Sequence, residues 1–327
     1  MKPLRIHIEN DGCGPEALRL SRDRLTVRLD DLSLTRTVEV TENADPALME
    51  QAIRGASVVF ACRKIDLRRA KQASPDLDWV QVISAGVDGY IDHLPPGVTL
   101  TNASGVHAEK GAEFILTAVL MLNYRIPGFV AQQQRAVWQP SFGGPVAAKR
   151  VTLLGVGGIG AASVPLLRAL GVGVTGVTRS GLSNAPLSRC LATDRLDELL
   201  PETDVLVSTL PLTAATRGLM DQRRLALLPK GAGVVVVGRA AVFDYNALAD
   251  ALRSERLSGA VLDVFPKEPL PADDPLWQCP RLIITPHCSV DDHETYLDRC
   301  LDIFVRNLKA YDAGMPLHNV VDPSLGY

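Results

Sequence analysis

Six short, β-branched runs follow one another in the second half of the chain: Val151–Leu154, Val172–Val177, Val205–Leu210, Val234–Val237, Ala260–Val264 and Leu282–Ile284. Stretches with helical spacing separate them. Apolar runs without polar alternation are strands covered on both faces, so the series predicts a doubly wound parallel sheet. A second series precedes it, at Leu4–Ile8, Val58–Ala61, Trp79–Ile83 and Val98–Asn102. With 327 residues, the chain is long enough for two such units, each with its own core. Between the series, residues 107–124 read as a largely buried helix, with Phe114, Ile115, Ala118, Val119 and Leu122 at helical spacing, expected to connect the two domains. Residues 135–148 are irregular and rich in Gly and Pro. A last amphipathic helix, marked by Tyr296, Leu297, Cys300, Ile303, Phe304 and Leu308, is expected to return to the first domain.

A net charge of −3 gives no electrostatic reason to expect nucleic acid or an anionic membrane as a partner, which leaves a small ligand as the default. No apolar stretch approaches the ~20 residues that span a bilayer, and Met1–Asn10 is too polar for a signal peptide, so the expected compartment is the cytoplasm. Six cysteines, at 13, 62, 190, 279, 288 and 300, form no Cys-x-x-Cys pair and no zinc-type spacing with histidine. No metal is expected. Cys288 lies beside His287 and reads as an incidental thiol.

Directly after Val151–Leu154 comes Gly155-Val-Gly157-Gly158-Ile159-Gly160, opening an apolar helix that leads to a second strand. In this strand–turn–helix context, Gly155 permits the tight turn, Gly157 lets a pyrophosphate approach the backbone, and Gly160 allows close helix packing. The N–H groups at Gly158 and Ile159 begin the helix. The segment predicts a dinucleotide site. An acidic residue that would bind the adenosine ribose in NAD is expected at Thr178, where none stands. Thr178-Arg179-Ser180 instead offers two hydroxyls and a guanidinium, a set suited to a 2′-phosphate. NADP is the expected cofactor, with NAD as the alternative.

Further along stand Pro211-Leu-Thr213 after Leu210, Arg239 after a strand, Leu262-Asp263-Val264-Phe265, Glu268-Pro269-Leu270 and Thr285-Pro286-His287. Together with the glycine run, with Gly86-Val-Asp88 upstream and with Val320-Val-Asp322 downstream, they resemble the D-isomer-specific 2-hydroxyacid dehydrogenase family over nearly the whole chain. The resemblance implies that His287 is the general acid and base at the substrate oxygen and that Glu268 orients its imidazole. It implies that Arg239 binds the substrate carboxylate and polarises the carbonyl. Backbone N–H groups of Ala85, Gly86 and Val87 would hold the carboxylate's other side, and Leu210, Pro211 and Asp263 would contact the cofactor, Asp263 at its nicotinamide end. The chemistry is consistent: imidazole titrates near neutrality, and a guanidinium fork matches a planar anion.

Two departures stand around Arg239. The family usually has Asn three positions earlier and Gly immediately after, where this chain has Val236 and Ala240. Ala240 lacks the backbone freedom of Gly. Thr285-Pro286-His287 disfavours the formate-oxidising branch. His107 opens the connecting helix and is a second-tier candidate, while His7, His93, His293 and His318 read as structural.

The expected architecture is α/β: a Rossmann coenzyme domain (100–289) inserted into a flavodoxin-like substrate domain (1–99 and 290–327), with the site in the cleft between them. The expected activity is hydride transfer between NAD(P)H and a small 2-keto or D-2-hydroxy acid of the glyoxylate or hydroxypyruvate type, in a homodimer. The alternatives are a phosphoglycerate-type dehydrogenase, which the lack of an appended regulatory domain disfavours, and a cofactor-sensing protein of the corepressor type.

Overall fold

Strand Val58–Ala61 carries no polar side chain because both faces of its sheet are covered: Val58 and Phe60 enter one apolar core, Val59 and Ala61 another. It belongs to the first of two units in the computed structural model, Met1–Val106 with Asp292–Tyr327, the second being His107–Asp291. The structure describes residues 2–30 and 32–327.

The first unit runs β1 (Leu4–Glu9), α1 (Arg22–Asp30), β2 (Val38–Asn43), α2 (Met49–Ala52), β3 (Val58–Ala61), α3 (Leu67–Ala73), β4 (Trp79–Val82) and β5 (Thr99–Thr101). Its strands pair in parallel in the order β2-β1-β3-β4-β5, the flavodoxin-like arrangement.

The second unit contains α4 (Ala108–Asn123), α5 (Ile126–Gln134), β6 (Arg150–Leu154), α6 (Gly158–Ala169), β7 (Gly173–Thr178), β8 (Arg189–Ala192), α7 (Leu196–Leu199), β9 (Val205–Ser208), α8 (Gln222–Leu227), β10 (Ala232–Val236), α9 (Tyr245–Arg253), β11 (Leu257–Leu262) and β12 (Leu282–Ile284). The sheet order is β12-β11-β10-β9-β6-β7-β8, so the winding reverses between β6 and β9, as in dinucleotide-binding folds. Ile115, Val119 and Leu122 of α4 and Val164 and Leu167 of α6 cover one face, while Leu248 and Leu252 of α9 cover the other. The chain then returns to the first unit through α10 (Tyr296–Asp312), whose Phe304 stacks on Trp79 with ring centroids 5.0 Å apart.

The sequence places the divisions after residues 99 and 289, whereas the units part after Val106 and Asp291. The turn after β5 is tied to the first unit, since Asn102 N donates to Asn319 O (3.1 Å) and Ala103 N to Ser84 O (3.0 Å). Two strands lie outside the sequence reading, β2 and β8. Both are edge strands, half-buried or exposed along most of their length, so they lack the continuous apolar run of the inner strands. The second sheet thus has seven strands where six are expected.

Among the described residues no single helix is long and apolar enough to cross a membrane. The pair α4 and α5 passes that test together, but is bent by 63° at its break.

At the carboxyl end of β1 a polar cluster sits inside the first unit. The Glu9 side chain is fully buried. Its Oε1 accepts from Arg63 Nε (3.0 Å) and NH2 (2.5 Å), its Oε2 lies 2.8 Å from His7 Nε2, and Asn43 Nδ2 donates to both oxygens. Burial alone would raise the carboxyl's pKa, but the bonds from His7, Arg63 and Asn43 and the charge of Arg63 outweigh it and hold the group below its ordinary value.

Candidate active site

Sheet register brings the predicted chemistry to one edge. Val236 pairs with Leu262, and Leu262 with Ile284, so Arg239, Asp263 and His287 all leave the carboxyl ends of three neighbouring strands. Ligands of open parallel sheets bind at that edge. His287 takes a left-handed backbone conformation, φ 50°, with its N–H donating to Thr285 O (3.0 Å). Such a conformation is uncommon outside glycine and turns the imidazole out of the strand's path.

The imidazole Nδ1 lies 2.6 Å from Glu268 Oε2. The other carboxylate oxygen, Oε1, accepts the Phe265 N–H at 2.8 Å, which fixes the carboxylate from behind. The His287 and Glu268 side chains are 44% and 34% exposed, so solvent screening holds the pair's contribution to stability to about 1 kcal/mol or less. Its value is orientation. A carboxylate only accepts, so Nδ1 carries the donated hydrogen and Nε2 is left to exchange a proton with a ligand.

Arg239 is extended (φ −135°, ψ 134°), and one of its NH groups donates to Gly238 O at 3.0 Å. A Cβ at Gly238 would stand 2.5 Å from Leu210 O, so the backbone before Arg239 lies directly on the Leu210–Pro211 loop and tolerates no side chain. The departure at Ala240 brings no strain: the residue opens a short 3-10 turn and is not left-handed. Val236 is fully buried in the apolar core, where its isopropyl group packs in place of a polar side chain.

The glycine run has the geometry its spacing predicts. Gly155 is left-handed (φ 91°), and a Cβ at Gly160 would run into the Gly155 carbonyl oxygen. At Gly157, the residue before α6, a Cβ would meet no heavy atom within 4 Å, leaving open approach to the first-turn N–H groups of Gly158, Ile159 and Gly160. Asp263 is fully buried. Its Oδ1 accepts from Thr285 Oγ1 (2.6 Å), Cys288 N (3.2 Å) and Ser289 N (3.1 Å), while its Oδ2 has no partner among the described residues. A buried acceptor without a donor is costly, so this oxygen fits the amide of a bound nicotinamide. The cradle and this acceptor together fit a dinucleotide.

β7 ends at Thr178, as the motif count requires. The Thr178 hydroxyl donates to Leu182 O (3.1 Å), and Ser180 Oγ accepts from Leu182 N (3.3 Å); both serve their own loop, beside the exposed Arg179. Cys288 engages Asp263 through its backbone, not its thiol. His107 Nδ1 lies 3.2 Å from Val290 O and 3.5 Å from Asp291 Oδ1; burial lowers its pKa, and the charges of Arg239 and His287 act in the same direction. It is therefore an electrostatic neighbour of the predicted site. His7 is the buried partner of Glu9, and His93, His293 and His318 are exposed.

Ala85, Gly86 and Val87 belong to the first unit, after β4. Every carbonyl from Ser84 to Val87 is taken: Ser84 O by Ala103 N, Ala85 O by Asn102 Nδ2 (2.9 Å), Gly86 O by Ser84 Oγ (2.8 Å) and Val87 O by Tyr90 N. In a trans peptide the next N–H points the opposite way, so the N–H groups of Ala85, Gly86 and Val87 each point away from the donor to the carbonyl before them. Phe265 and Thr285 stand in the motifs quoted for the family, while the supporting roles of Gly238 and Asn102 have none. Only the need of a buried carboxylate or a fixed carbonyl for a partner signals them.

Comparison with known proteins gives one answer at three levels. Residues 116–289 match the model of the D-isomer specific 2-hydroxyacid dehydrogenase NAD binding domain. Glyoxylate/hydroxypyruvate reductase B of Pectobacterium atrosepticum is 34% identical over 93% of this chain and 96% of its own, and glyoxylate/hydroxypyruvate reductase A of Salmonella paratyphi C is 31% identical over 76% and 81%. Among solved structures, a D-isomer specific 2-hydroxyacid dehydrogenase from Xanthobacter autotrophicus Py2 in complex with NADPH and MES superposes with a TM-score of 0.81 at 29% identity, covering 98% of this chain and 99% of its own. An NADPH-dependent glyoxylate/hydroxypyruvate reductase from Sinorhizobium meliloti, in complex with NADP and sulfate, gives 0.80 at 25% identity over 99% and 100%. With a glycine cradle, an ordered His–Glu pair and relatives aligned along nearly its whole length, the chain belongs to the D-isomer specific 2-hydroxyacid dehydrogenase family.

Proposed function

We propose that this NAD(P)-dependent dehydrogenase reduces small 2-keto acids of the glyoxylate and hydroxypyruvate type, with NADPH as its preferred cofactor. The 2.6 Å contact between His287 Nδ1 and Glu268 Oε2 carries the reading, because it commits one ring nitrogen and leaves Nε2 for the substrate. In reduction, Nε2–H gives its proton to the carbonyl oxygen; in oxidation, Nε2 takes the hydroxyl proton back. Arg239 binds the carboxylate and draws electron density onto the carbonyl oxygen. The N–H groups of Ala85, Gly86 and Val87 are donors for a carboxylate. When bound, the nicotinamide supplies the hydride to the carbonyl carbon. Gly155, Gly157, Gly158, Ile159 and Gly160 would cradle the cofactor's pyrophosphate, Leu210 and Pro211 would contact the cofactor, and Asp263 Oδ2 would accept from the carboxamide.

The NADPH preference is supported by the absence of a carboxylate at Thr178, by the exposed Arg179 that follows, and by the cofactors of the structural relatives. Glyoxylate, hydroxypyruvate and pyruvate, each followed at the nicotinamide absorbance with NADPH and with NADH, provide the test. Turnover of the first two is expected, and Arg179→Ala should cut kcat/KM for NADPH by about 10- to 100-fold, the worth of charge-assisted bonds to a phosphate, with little change for NADH. Cofactor binding without turnover of any 2-keto acid sinks the enzymatic reading; equal wild-type use of both cofactors sinks the preference.

A homodimer is proposed with it. Trp138 (97% exposed) and Phe142 (87% exposed) follow α5, with Tyr124, Val130 and Val137 also exposed nearby in sequence. Exposed large apolar side chains so concentrated mark an association surface, and the enzyme family is commonly dimeric. Sedimentation equilibrium is expected to return twice the chain mass, and Trp138→Glu to return a monomer. A wild-type monomer at micromolar concentration contradicts this.

A further inference from the structure

We infer that His107 is a positioning residue for the proposed proton transfer: by donating to the backbone carbonyl of Val290, its imidazole holds the loop that presents His287. The inference deepens the dehydrogenase reading above and rests on it.

All the residues concerned lie in the second unit. His107 stands at the N-cap position of α4, yet its side chain makes no capping bond; its Nδ1 lies 3.2 Å from Val290 O instead. A carbonyl only accepts, so Nδ1 carries the hydrogen. Burial, opposed by the Asp291 carboxylate, holds the ring's pKa below its ordinary value. At pH 7 the side chain is therefore a neutral donor and adds no positive charge beside Arg239 and His287.

The loop from Thr285 to Asp291 is fastened at both ends. At its start, Asp263 Oδ1 accepts from Thr285 Oγ1, Cys288 N and Ser289 N. At its end the first turn of α4 takes over: His107 holds Val290 O, and Lys110 Nζ donates to Asp291 O. The Val290 side chain is buried against the same helix. A Cβ at Gly111 would stand 3.3 Å from Val290 Cγ1 and 2.8 Å from Ile159 Cγ2, so α4 lies directly on both. His287 sits within this span with its left-handed backbone, φ 50°, a conformation that persists only where the surroundings determine it. Of the two donors on the helix side, Lys110 is exposed, whereas the His107 side chain is only 14% exposed and is the firmer hold.

His107→Phe keeps a ring and removes the donor, while His107→Asn keeps an N–H close to the place of Nδ1. In His107→Phe, kcat for glyoxylate reduction is expected to fall about tenfold and the solvent isotope effect on kcat to rise, because a displaced imidazole slows proton transfer; the Kd for NADPH stays within twofold. His107→Asn should restore most of the rate. Hydrogen-exchange mass spectrometry gives a readout that needs no turnover: amides of residues 287–291 should exchange about tenfold faster in His107→Phe, the worth of one hydrogen bond, and near the wild-type rate in His107→Asn, with β6 and α6 unchanged. Wild-type kcat and exchange in His107→Phe, or equal losses in the Phe and Asn variants, overturn the assignment. The expected exchange pattern in a protein whose wild type turns over no 2-keto acid fails the dehydrogenase reading instead.

Discussion

Replacing His287 by alanine is expected to lower kcat for glyoxylate reduction by about 10²–10⁴, the usual worth of a positioned general acid, while the Kd for NADPH stays within twofold. The split follows from placement. His287 offers its imidazole to the substrate, whereas the proposed cofactor cradle is built from the backbone of Gly155 to Gly160 and from Asp263, whose partners are Thr285 and the N–H groups of Cys288 and Ser289. Truncating the imidazole touches none of these. Glu268→Gln should cost less than His287→Ala, because a carboxamide oxygen can still accept from Nδ1. A loss smaller than tenfold in His287→Ala would remove the residue from the proton-transfer step, whatever its distance to Glu268.

Arg63→Met is expected to destabilise the first unit by about 3–5 kcal/mol at neutral pH, the cost of leaving a buried carboxylate without its cation. The Glu9 side chain is fully buried, and the guanidinium of Arg63 donates to its Oε1 through two nitrogens. The pH dependence has a definite sign. In the wild type the Glu9 carboxyl lies below its ordinary value of 4.5, so its contribution is present above that value and is lost as the pH falls through the lower, folded-state value. In the variant the carboxyl protonates more readily in the folded state, which relieves the penalty. The difference in melting temperature should therefore be largest near pH 7 and shrink toward pH 4. A difference that stays constant across that range rejects this account of the cluster, and Glu9→Gln combined with Arg63→Met should recover part of the loss.

The sequence carries the chemistry of the second unit more openly than that of the first. Gly155–Gly160, Arg239, Glu268 and His287 stand at fixed distances from apolar strands, and the backbone of a parallel sheet brings every strand's carboxyl end to one edge. Naming the residue after each strand therefore nearly names the site. Strands such as the inner Val58–Ala61 and the edge strand Leu282–Ile284 are readable to the residue because continuous apolar runs have few alternative fates. Edge strands without such a run are not: in Val38–Asn43 only Val38 and Val40 are apolar, and pairing on one side supplies the rest of the strand's stability. The Glu9–Arg63 contact joins residues 54 apart and follows no spacing rule. Its only trace in the sequence is an acid at the end of a strand that is otherwise buried, which demands a partner without saying which.

The insertion of residues 107–291 between the two parts of the first unit has a consequence for synthesis. The face of the first sheet that holds Leu4, Ile6, Phe60 and Trp79 is completed by Leu297, Leu301, Phe304 and Leu308 of α10, which leave the ribosome only after the whole of residues 107–291. The interposed unit has all its own strands and helices in hand before that point, and can fold as a nascent domain. Strands β1 to β5, made before the inserted unit, must wait with Trp79 unstacked until α10 has followed it, and it is this half-finished sheet that a chaperone would meet.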